Sequence, residues 1–311
     1  MLLVCPNPTM DRQVFVDELF PGAVLRATRN RVFPGGKPIN VGRAARAHGV
    51  EAALLILLPE VNHGYRQLLV EEGTDALVHA VPGHVRDTVI LYEGSGRVTV
   101  INGPGVEVSP AMWDGFVDRA GSHAQGHEWV AVTGSFPRGV GPVGVADLIR
   151  AIRGTGARVA LDTGPQWFMA GLEAGVELVA PNLAEARQAL TGAPLVEAVE
   201  VPETAEHDAM EAARHLAGLG VEHVVVTVGA AGCAWANGKE AGFVPALDVP
   251  VVNPIGAGDA FLGGLLARLE RGEDLHEAVA WGSATAASAV GQWVPGGADA
   301  ERTGSLRRRL P

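Results

Sequence analysis

The chain has 311 residues, of which 47% are hydrophobic and 19% charged, and its formal net charge at pH 7 is -11. This composition is typical of a folded protein with a full core. The acidic balance disfavours a nucleic-acid coat or a membrane-surface protein, because both would have to bind phosphate-rich partners. Two widely separated cysteines, no basic leader and no long apolar run predict a soluble, cytoplasmic protein.

Short apolar runs recur along the chain, each followed by a Gly- or Pro-marked turn and a segment of helical length. Strands that are apolar on both faces and alternate with helices indicate a parallel sheet that is covered on both sides. We therefore predict an α/β protein, a single domain over residues 1–311 with a doubly wound, mostly parallel sheet. The predicted strands are Leu2–Cys5, Ala52–Leu58, Trp129–Thr133, Arg158–Asp162, Glu177–Ala180 and His223–Val228, and the predicted helices include Thr204–Leu219 and Ala257–Glu270.

Two segments, at about 12–33 and 85–103, break this alternation. Each contains alternating runs around a tight turn, Phe20-Pro21-Gly22 in the first and Gly94-Ser95-Gly96 in the second, which is a hairpin pattern. They predict a small antiparallel sheet inserted into the α/β body. Such a sheet can be a lid over a cleft, a dimer contact or both, and we expect a homodimer that forms through it. Thr191–Pro202 is predicted to be a surface loop.

The first of two Gly-rich turns contains Gly35-Gly36-Lys37-Pro38-Ile39-Asn40 and precedes a predicted helix. Paired glycines allow a ligand to approach the backbone, and Lys37 and Asn40 can bind an anion or hydroxyl groups. The chain contains no G-x-x-x-x-G-K-[ST] sequence, and no G-x-G-x-x-G follows the first strand. The turn is therefore neither a Walker P-loop nor a dinucleotide fingerprint.

The second Gly-rich turn, Asn253 to Asp259, leads into another predicted helix. Backbone N–H groups at a helix start point into one concavity, where the helix dipole adds about half a positive charge. Gly256, Ala257 and Gly258 are small enough for a phosphoryl group to approach, and Asp259 can meet the attacking group. Phosphoryl transfer to an alcohol requires this pairing of base and positive dipoles. The alternative is an ordinary helix start with an acid in its first turn.

Together the two turns resemble the PfkB family of carbohydrate kinases, which includes ribokinase. The family's signatures are Gly-Gly-x-x-x-Asn near the N-terminus and Gly-Ala-Gly-Asp near the C-terminus, and both are present in order. The resemblance runs from about residue 2 to residue 298. It implies a ribokinase-like fold with a β-sheet lid and ATP-dependent phosphorylation of a sugar. It also implies that Asp259 is the base and that residues 256–258 form the anion hole.

The resemblance assigns further roles position by position. Asp11, Gly35, Gly36 and Asn40 are expected to bind sugar hydroxyls.

Asn182 and Glu185 match the family's Asn-x-x-Glu, which organises Mg²⁺ and phosphate, largely through water. By their residue types alone they would be a helix cap and a first-turn acid. Thr227, Gly229 and Gly232 fall where the family holds the ribose and phosphates of ATP. Without the resemblance this segment would be an ordinary turn at a strand end.

Within the family, the chain is most similar to the kinases of phosphorylated sugars. Ile39 to Ala44 matches their Ile-Asn-Val-x-Arg-Ala, and Gly134-Ser135-Phe136-Pro137 indicates the same branch. A phosphorylated substrate needs local cations in an acidic protein. The resemblance implies that Arg26 and Arg86, both on the predicted lid, bind this phosphate together with Lys37 and Ser135. A guanidinium suits the task because its fork donates two parallel hydrogen bonds.

Three departures leave the sugar open. Pro38 replaces a usual glycine, Thr88 a usual asparagine and Gly103 a usual acidic residue. The first expectation is fructose 1-phosphate, which would give fructose 1,6-bisphosphate. The alternatives are tagatose 6-phosphate or fructose 6-phosphate, then ribose or a nucleoside, and last a sugar-phosphate sensor without catalysis.

Overall fold

The computed structural model describes residues 1–192 and 203–311. Within them, strands and helices alternate along most of the chain. The strands are β1 (Leu2–Cys5), β2 (Thr9–Val16), β3 (Arg29–Gly35), β4 (Ala53–Val61), β5 (Ala76–His84), β6 (Arg86–Glu93), β7 (Val98–Asn102), β8 (Trp129–Thr133), β9 (Arg158–Asp162), β10 (Leu178–Val179), β11 (His223–Thr227), β12 (Gly232–Ala236) and β13 (Ala241–Pro245). The helices are α1 (Lys37–Arg46), α2 (Tyr65–Glu71), α3 (Pro110–Ala124), α4 (Pro142–Arg153), α5 (Pro165–Ala174), α6 (Leu183–Thr191), α7 (Ala205–Gly218), α8 (Ala257–Leu269), α9 (Leu275–Ala289) and α10 (Ala300–Arg307).

Among the described residues, the larger sheet has nine strands in the order β13-β12-β11-β10-β9-β8-β1-β4-β5. The strands from β11 to β5 run parallel, whereas β12 and β13 are antiparallel additions at one edge. The carboxyl ends of the parallel strands therefore share one edge of the sheet. In open sheets of this kind, ligands bind outside that edge.

Alternate residues of the central strands face opposite helix layers. Leu2 and Val4 of β1 belong to a core that includes side chains of α3 to α7, whereas Leu3 and Cys5 belong to a second core with α1, α2, α8, α9 and α10. Burial of a large aliphatic side chain stabilises the fold by about 1.5–3 kcal/mol. Cover on both faces explains why these strands are continuous apolar runs.

The described part of the chain also contains a second, separate sheet of four strands in the order β3-β2-β6-β7. Its β2–β3 and β6–β7 pairs are antiparallel, and β2 runs parallel to β6. Asp11 is level with Thr88, and Phe15 is level with Tyr92. These residues share one face of the sheet, because side chains alternate along a strand. Below, this sheet is called the small sheet.

The predicted fold class is confirmed: a large, mostly parallel sheet with helices on both faces and a second small sheet. The sequence pattern did not predict β5, which contains Pro82 and Gly83. Such residues are tolerated there because β5 is an edge strand. In the segment at about 12–33, the second strand begins only at Arg29, and most of the predicted surface loop Thr191–Pro202 lies outside the described residues.

None of the helices in residues 1–192 and 203–311 combines the length and the apolar character that a membrane span requires.

Candidate active site

Polar residues line the carboxyl edge of the large sheet. Asn7 follows β1, Ser135 follows β8, Asp162 ends β9, Asn182 follows β10 and Thr227 ends β11. Because these strands are neighbours, residues distant in sequence meet along one edge. Asn7 and Asp162 were not among the predicted site residues.

The second Gly-rich turn forms the start of α8 beside this edge. Gly256 precedes the helix with φ of 81°, a left-handed conformation that glycine adopts without strain. The first helical hydrogen bond runs from Ala260 N to Gly256 O, and Ala257 N donates to Pro254 O at 3.3 Å. The N–H groups of Gly258 and Asp259 lie in the first turn, where a helix offers no carbonyl partner. A side chain at Gly258 would meet no atom within 4 Å, so there is open space beside this turn.

Asp259 is 7% exposed and is held by α1. Its Oδ2 accepts a hydrogen bond of 2.7 Å from Asn40 Nδ2. Burial raises the pKa of Asp259 to about 6, although Lys37 and the Asn40 hydrogen bond oppose the rise. The negative charges of Asp162 and Glu185 favour it. A carboxylate tuned toward neutral pH is suited to accept a proton from an alcohol.

Gly263 of α8 explains how α1 and α8 come close enough for this contact, and Gly264 lets α9 approach α8 in the same way. A Cβ on Gly263 would lie 2.5 Å from Val41 O, and one on Gly264 would lie 2.3 Å from Thr285 Oγ1 of α9. Larger residues would force the helices apart. The tight packing of α8 against α1 therefore places Asp259 beside Asn40.

Asp11, on β2 of the small sheet, lies directly against the first Gly-rich turn. A Cβ on Gly35 would be 2.2 Å from Asp11 Oδ1, so only glycine leaves room for this carboxylate. Gly36 has φ of 130° and packs on Cys5. Burial raises the pKa of Asp11 to about 7, Arg43 and Arg86 oppose the rise, and Asp259 adds to it. Two carboxyl groups with raised pKa values therefore face the same region.

Lys37, at the start of α1, bridges the Gly-rich turn and the sheet edge. Its Nζ donates to Asp162 Oδ1 at 2.9 Å and to Asp162 Oδ2 at 3.1 Å. Burial lowers its pKa, but the charges of Asp162, Asp259 and Glu185 together raise the pKa well above its usual range. Lys37 is therefore a fixed cation among three carboxylates.

Arg86, at the start of β6, reaches from the small sheet to the edge of the large one. Its Nη2 donates to Asn7 O at 3.1 Å and to Ser135 Oγ at 3.4 Å, while Asn7 Nδ2 donates to Ser135 Oγ at 2.9 Å. Arg86 Nε is buried and has no hydrogen-bond partner within the described residues. A buried N–H donor without a partner costs free energy, and an anion would satisfy it.

Asn182 and Glu185 form the capping box at the start of α6. Asn182 Oδ1 accepts from Glu185 N and Glu185 Oε2 accepts from Asn182 N, each at 2.9 Å. This pair is therefore a helix cap, the interpretation that their residue types alone support. Glu185 also interacts electrostatically with Lys37 and Asp259, so the cap holds a carboxylate near the site.

Thr227, Gly229 and Gly232 surround a short 3₁₀ turn after β11. Thr227 N donates to Pro181 O at 3.0 Å, which joins this turn to the Asn182 segment. A Cβ on Gly232 would be 2.2 Å from Val244 O, so the close approach of β13 requires glycine there. A Cβ on Gly229 would meet nothing within 4 Å, so its backbone is open to a ligand.

Arg26 is a predicted site residue that stays outside the hydrogen-bond network of the others. It is exposed in the segment between β2 and β3. In the part of the chain that the structure describes, it makes no hydrogen bond or ion pair with another predicted residue.

The small sheet is also tied to the second Gly-rich turn by residues that sequence analysis missed. Tyr92 Oη donates to Asn253 Oδ1 at 2.8 Å, and Asn253 Nδ2 donates to Trp293 O at 2.9 Å. Gln13 Nε2 donates to the same Trp293 carbonyl at 3.0 Å. Only the assembled fold brings these three segments together, so no local pattern could have indicated them.

The arrangement combines a buried carboxylate, helix-start amides beside open space and nearby fixed cations. An α/β fold with these features at the carboxyl edge of its sheet is typical of enzymes that transfer a phosphoryl group to an alcohol.

Comparison with known proteins identifies the family. The model of the pfkB family carbohydrate kinases matches residues 3–296, and the chain belongs to this family. The protein is thus a carbohydrate kinase, and ATP is the phosphoryl donor that this family implies.

Named relatives agree with this assignment. A 1-phosphofructokinase of Escherichia coli is 32% identical over 305 residues, which are 98% of this chain and 95% of that protein. A 1-phosphofructokinase of Haemophilus influenzae is 34% identical over 265 residues, or 84% of this chain and 81% of that protein. The crystal structure of phosphofructokinase-2 from Escherichia coli in complex with potassium superposes with a TM-score of 0.88 at 23% identity and covers 99% of this chain and 98% of that one. This likeness confirms the fold.

Proposed function

We propose that this protein transfers the γ-phosphoryl group of ATP to a hydroxyl of fructose 1-phosphate, giving fructose 1,6-bisphosphate and ADP. The observation that carries the proposal is the Asn40-held carboxylate of Asp259 at the start of α8, in a helix turn that has open space beside Gly258. The relatives named 1-phosphofructokinase support this choice of sugar.

In the proposed reaction, the sugar hydroxyl oxygen attacks the γ-phosphorus and the bond to the ADP oxygen breaks. Asp259 accepts the hydroxyl proton, and its raised pKa matches that task. The amides of Gly256, Ala257 and Gly258 stabilise the charge on the migrating phosphoryl group. Since Ala257 N already donates to Pro254 O, the amides of Gly258 and its neighbour at position 259 are the better-placed donors.

The sugar and its phosphate are bound between the small sheet and the first Gly-rich turn. Asp11 and Asn40 bind sugar hydroxyls beside Gly35 and Gly36, and the missing side chain of Gly35 leaves the room that the Asp11 carboxylate occupies. Arg86 binds the sugar phosphate with Ser135. Two features of Arg86 support this role: its buried Nε has no hydrogen-bond partner among the described residues, and its Nη2 donates to Ser135 Oγ. Lys37 and Arg26 are proposed as further phosphate contacts.

Thr227, Gly229 and Gly232 are proposed to hold the ribose and phosphates of ATP. We further propose that Mg²⁺ accompanies ATP and is held through water by Asn182 and Glu185. These oxygen donors suit Mg²⁺, which retains several waters in such sites. Within residues 1–192 and 203–311, no group of three or more His, Cys, Asp or Glu side chains could hold a metal ion by itself. The ion would shield the phosphate charge when bound.

We also propose that residues 1–311 form one domain, with the small sheet as a lid over the sugar. The Tyr92–Asn253 hydrogen bond, which joins this sheet to the Gly-rich turn, supports the lid role. The outer face of the sheet includes Val32 and Ile101, 40% and 56% exposed, which supports a homodimer through the lid. Two buried free cysteines, Cys5 and Cys233, fit a reducing cytoplasm.

A panel of acceptors tests the proposed substrate. ADP release is measured with fructose 1-phosphate, fructose 6-phosphate, tagatose 6-phosphate, ribose and adenosine. We expect the highest kcat/KM with fructose 1-phosphate. A higher value with another acceptor would identify that acceptor as the substrate instead. Binding of a sugar phosphate by calorimetry with no ADP release from any of them would indicate a sensor.

The pH profile of kcat/KM tests the base. Asp259 and Asp11, with pKa values of about 6 and about 7, take up protons as the pH falls through those values. Asp259 accepts no proton once it is protonated, so we expect the rate to fall on the acid side of about pH 6 and not near pH 4. A value of kcat/KM that stays unchanged down to pH 5 would contradict the assignment of Asp259 as the base.

A variant separates the base from the substrate, because a sugar phosphate has its own ionisation near pH 6. Asn40→Ala removes a hydrogen bond that lowers the pKa of Asp259. If protonation of Asp259 causes the fall of kcat/KM at low pH (the acid limb of the pH profile), this variant moves the acid limb to higher pH. If the phosphate of the substrate causes the acid limb instead, the limb stays at the same pH in this variant.

A further inference from the structure

The guanidinium of Arg43 lies beneath the candidate active site and is 8% exposed. All five of its N–H groups have acceptors. Nη1 donates to Asn40 Oδ1 at 2.8 Å and to Pro295 O at 3.1 Å, and Nη2 donates to Pro34 O at 2.7 Å. Glu72 accepts the remaining two, from Nε and Nη2, at 2.8 and 2.9 Å. A buried guanidinium whose N–H groups are all hydrogen-bonded is held in one orientation.

One set of contacts determines which way the Asn40 amide points. An amide side chain has an acceptor side and a donor side. Since Arg43 offers only donors, Asn40 turns Oδ1 toward it, and Nδ2 is left to donate to Asp259 at 2.7 Å. The reversed amide would set its oxygen against the carboxylate. Arg43 thereby dictates the orientation that holds the base.

A second set of contacts supports the amides at the start of α8. The Pro295 carbonyl that Arg43 binds belongs to a turn that contains Gly296. A Cβ on Gly296 would be 2.3 Å from Asn40 O, and one on Gly256 would be 3.0 Å from Gly296 N. This turn is therefore wedged between Asn40 and the first residue of the proposed anion hole.

The geometry points to Arg43 as a positioning residue that aligns the base with the anion hole without touching either substrate. This role rests on the proposed function. The other charged groups around Asp259 are Lys37, Asp162, Glu185 and Asp11, and Arg43 makes no hydrogen bond to any of them among the described residues. A change at Arg43 therefore acts on the base mainly through Asn40 and the Pro295 turn.

The test compares Arg43→Met and Arg43→Lys with a matched control, Arg46→Met. Arg46 lies one turn further along α1 and also contacts the end of α2, through Glu72 O and Thr74 Oγ1, but it reaches neither Asn40 nor Pro295. For each variant, kcat, KM for ATP, the acid limb of the pH profile and the unfolding temperature are measured.

We expect Arg43→Met to lower kcat by about 10–100-fold, because small misplacements of reacting groups have effects of this size. KM for ATP should change by less than about threefold. The acid limb should move to higher pH, because Asp259 loses a well-oriented hydrogen-bond donor. Arg46→Met should keep kcat within about twofold of the unchanged enzyme.

Arg43→Lys distinguishes an effect of the hydrogen-bond geometry of Arg43 from an effect of its charge. It also provides the test if Arg43→Met does not fold. Arg43 lowers the pKa of Asp11 through its charge, and lysine keeps that charge. A single ammonium cannot serve the Asn40, Pro295 and Pro34 acceptors in the same geometry, so kcat should still fall and the limb should still move.

Two results would overturn the inference: full kcat in Arg43→Lys, or losses of kcat in the Arg43 and Arg46 variants that simply follow their unfolding temperatures. The proposed function fails separately, through undiminished turnover when Asp259 is replaced. If turnover requires Asp259 but not the guanidinium of Arg43, only this inference is rejected and the proposed function stands.

Discussion

Asp259→Asn is expected to lower kcat by about 10²–10⁴-fold, because asparagine cannot accept the proton of the sugar hydroxyl. The amide is nearly isosteric with the carboxylate and can still pair with Asn40 through its oxygen, so the start of α8 should keep its shape. ATP binding should therefore persist. Single-turnover kinetics give the loss in the chemical step, and calorimetry with an ATP analogue gives the affinity.

Asp248→Asn is the matched control for this experiment. Asp248 is an exposed acid between β13 and the Gly-rich turn, and its replacement should leave kcat unchanged within about twofold. Turnover by Asp259→Asn at the level of this control would remove Asp259 from the mechanism. A parallel loss of ATP affinity would instead point to a role in binding.

Arg86→Met is expected to raise KM for fructose 1-phosphate by about 10–100-fold, since a hydrogen bond to a charged group contributes about 1.5–3 kcal/mol. The KM for ATP should stay close to that of the unchanged enzyme, because Arg86 contacts Asn7 and Ser135 on the sugar side of the site. Initial rates over a grid of both substrates measure the two constants independently.

Arg12→Met provides the comparison for Arg86. Arg12 lies on the neighbouring strand of the small sheet and is 40% exposed in its pair with Asp87. An exposed pair of this kind contributes little to stability, and its loss removes the same charge from the same sheet. If both variants raise KM equally, the effect comes from net charge and Arg86 does not bind the sugar phosphate.

Contiguous motifs made much of the site predictable. The two Gly-rich turns combine flexible backbone, small residues and a functional side chain within a few positions, so Asp259 and Asn40 could be found by local pattern. The hydrogen bond between them, across 219 residues, was not predicted and became visible only in the fold.

Partners that meet only through the fold could not be predicted. Asp162 is the polar residue that ends a buried strand. Its ion-pair partner, Lys37, lies 125 residues earlier in the chain. Asn7 likewise meets Ser135 because β1 and β8 are neighbours in the large sheet, and it meets Arg86 because β2 pairs with β6 in the small sheet. The arginine of the Ile-Asn-Val-x-Arg-Ala motif, Arg43, served in sequence only to place the chain within its family. Its five acceptors come from four separate segments.

The missing Cβ of Gly263 also bears on how the enzyme can move. With Val41 O in the space that a methyl group would fill, α1 and α8 have no side-chain layer along which to slide at this point. The Asp259 carboxylate and its amide partner Asn40 are therefore held as one block, and if the small sheet is the lid that we propose, the cleft opens by tilting of this sheet. An inhibitor that props this sheet open would block closure while leaving the reactive pair intact.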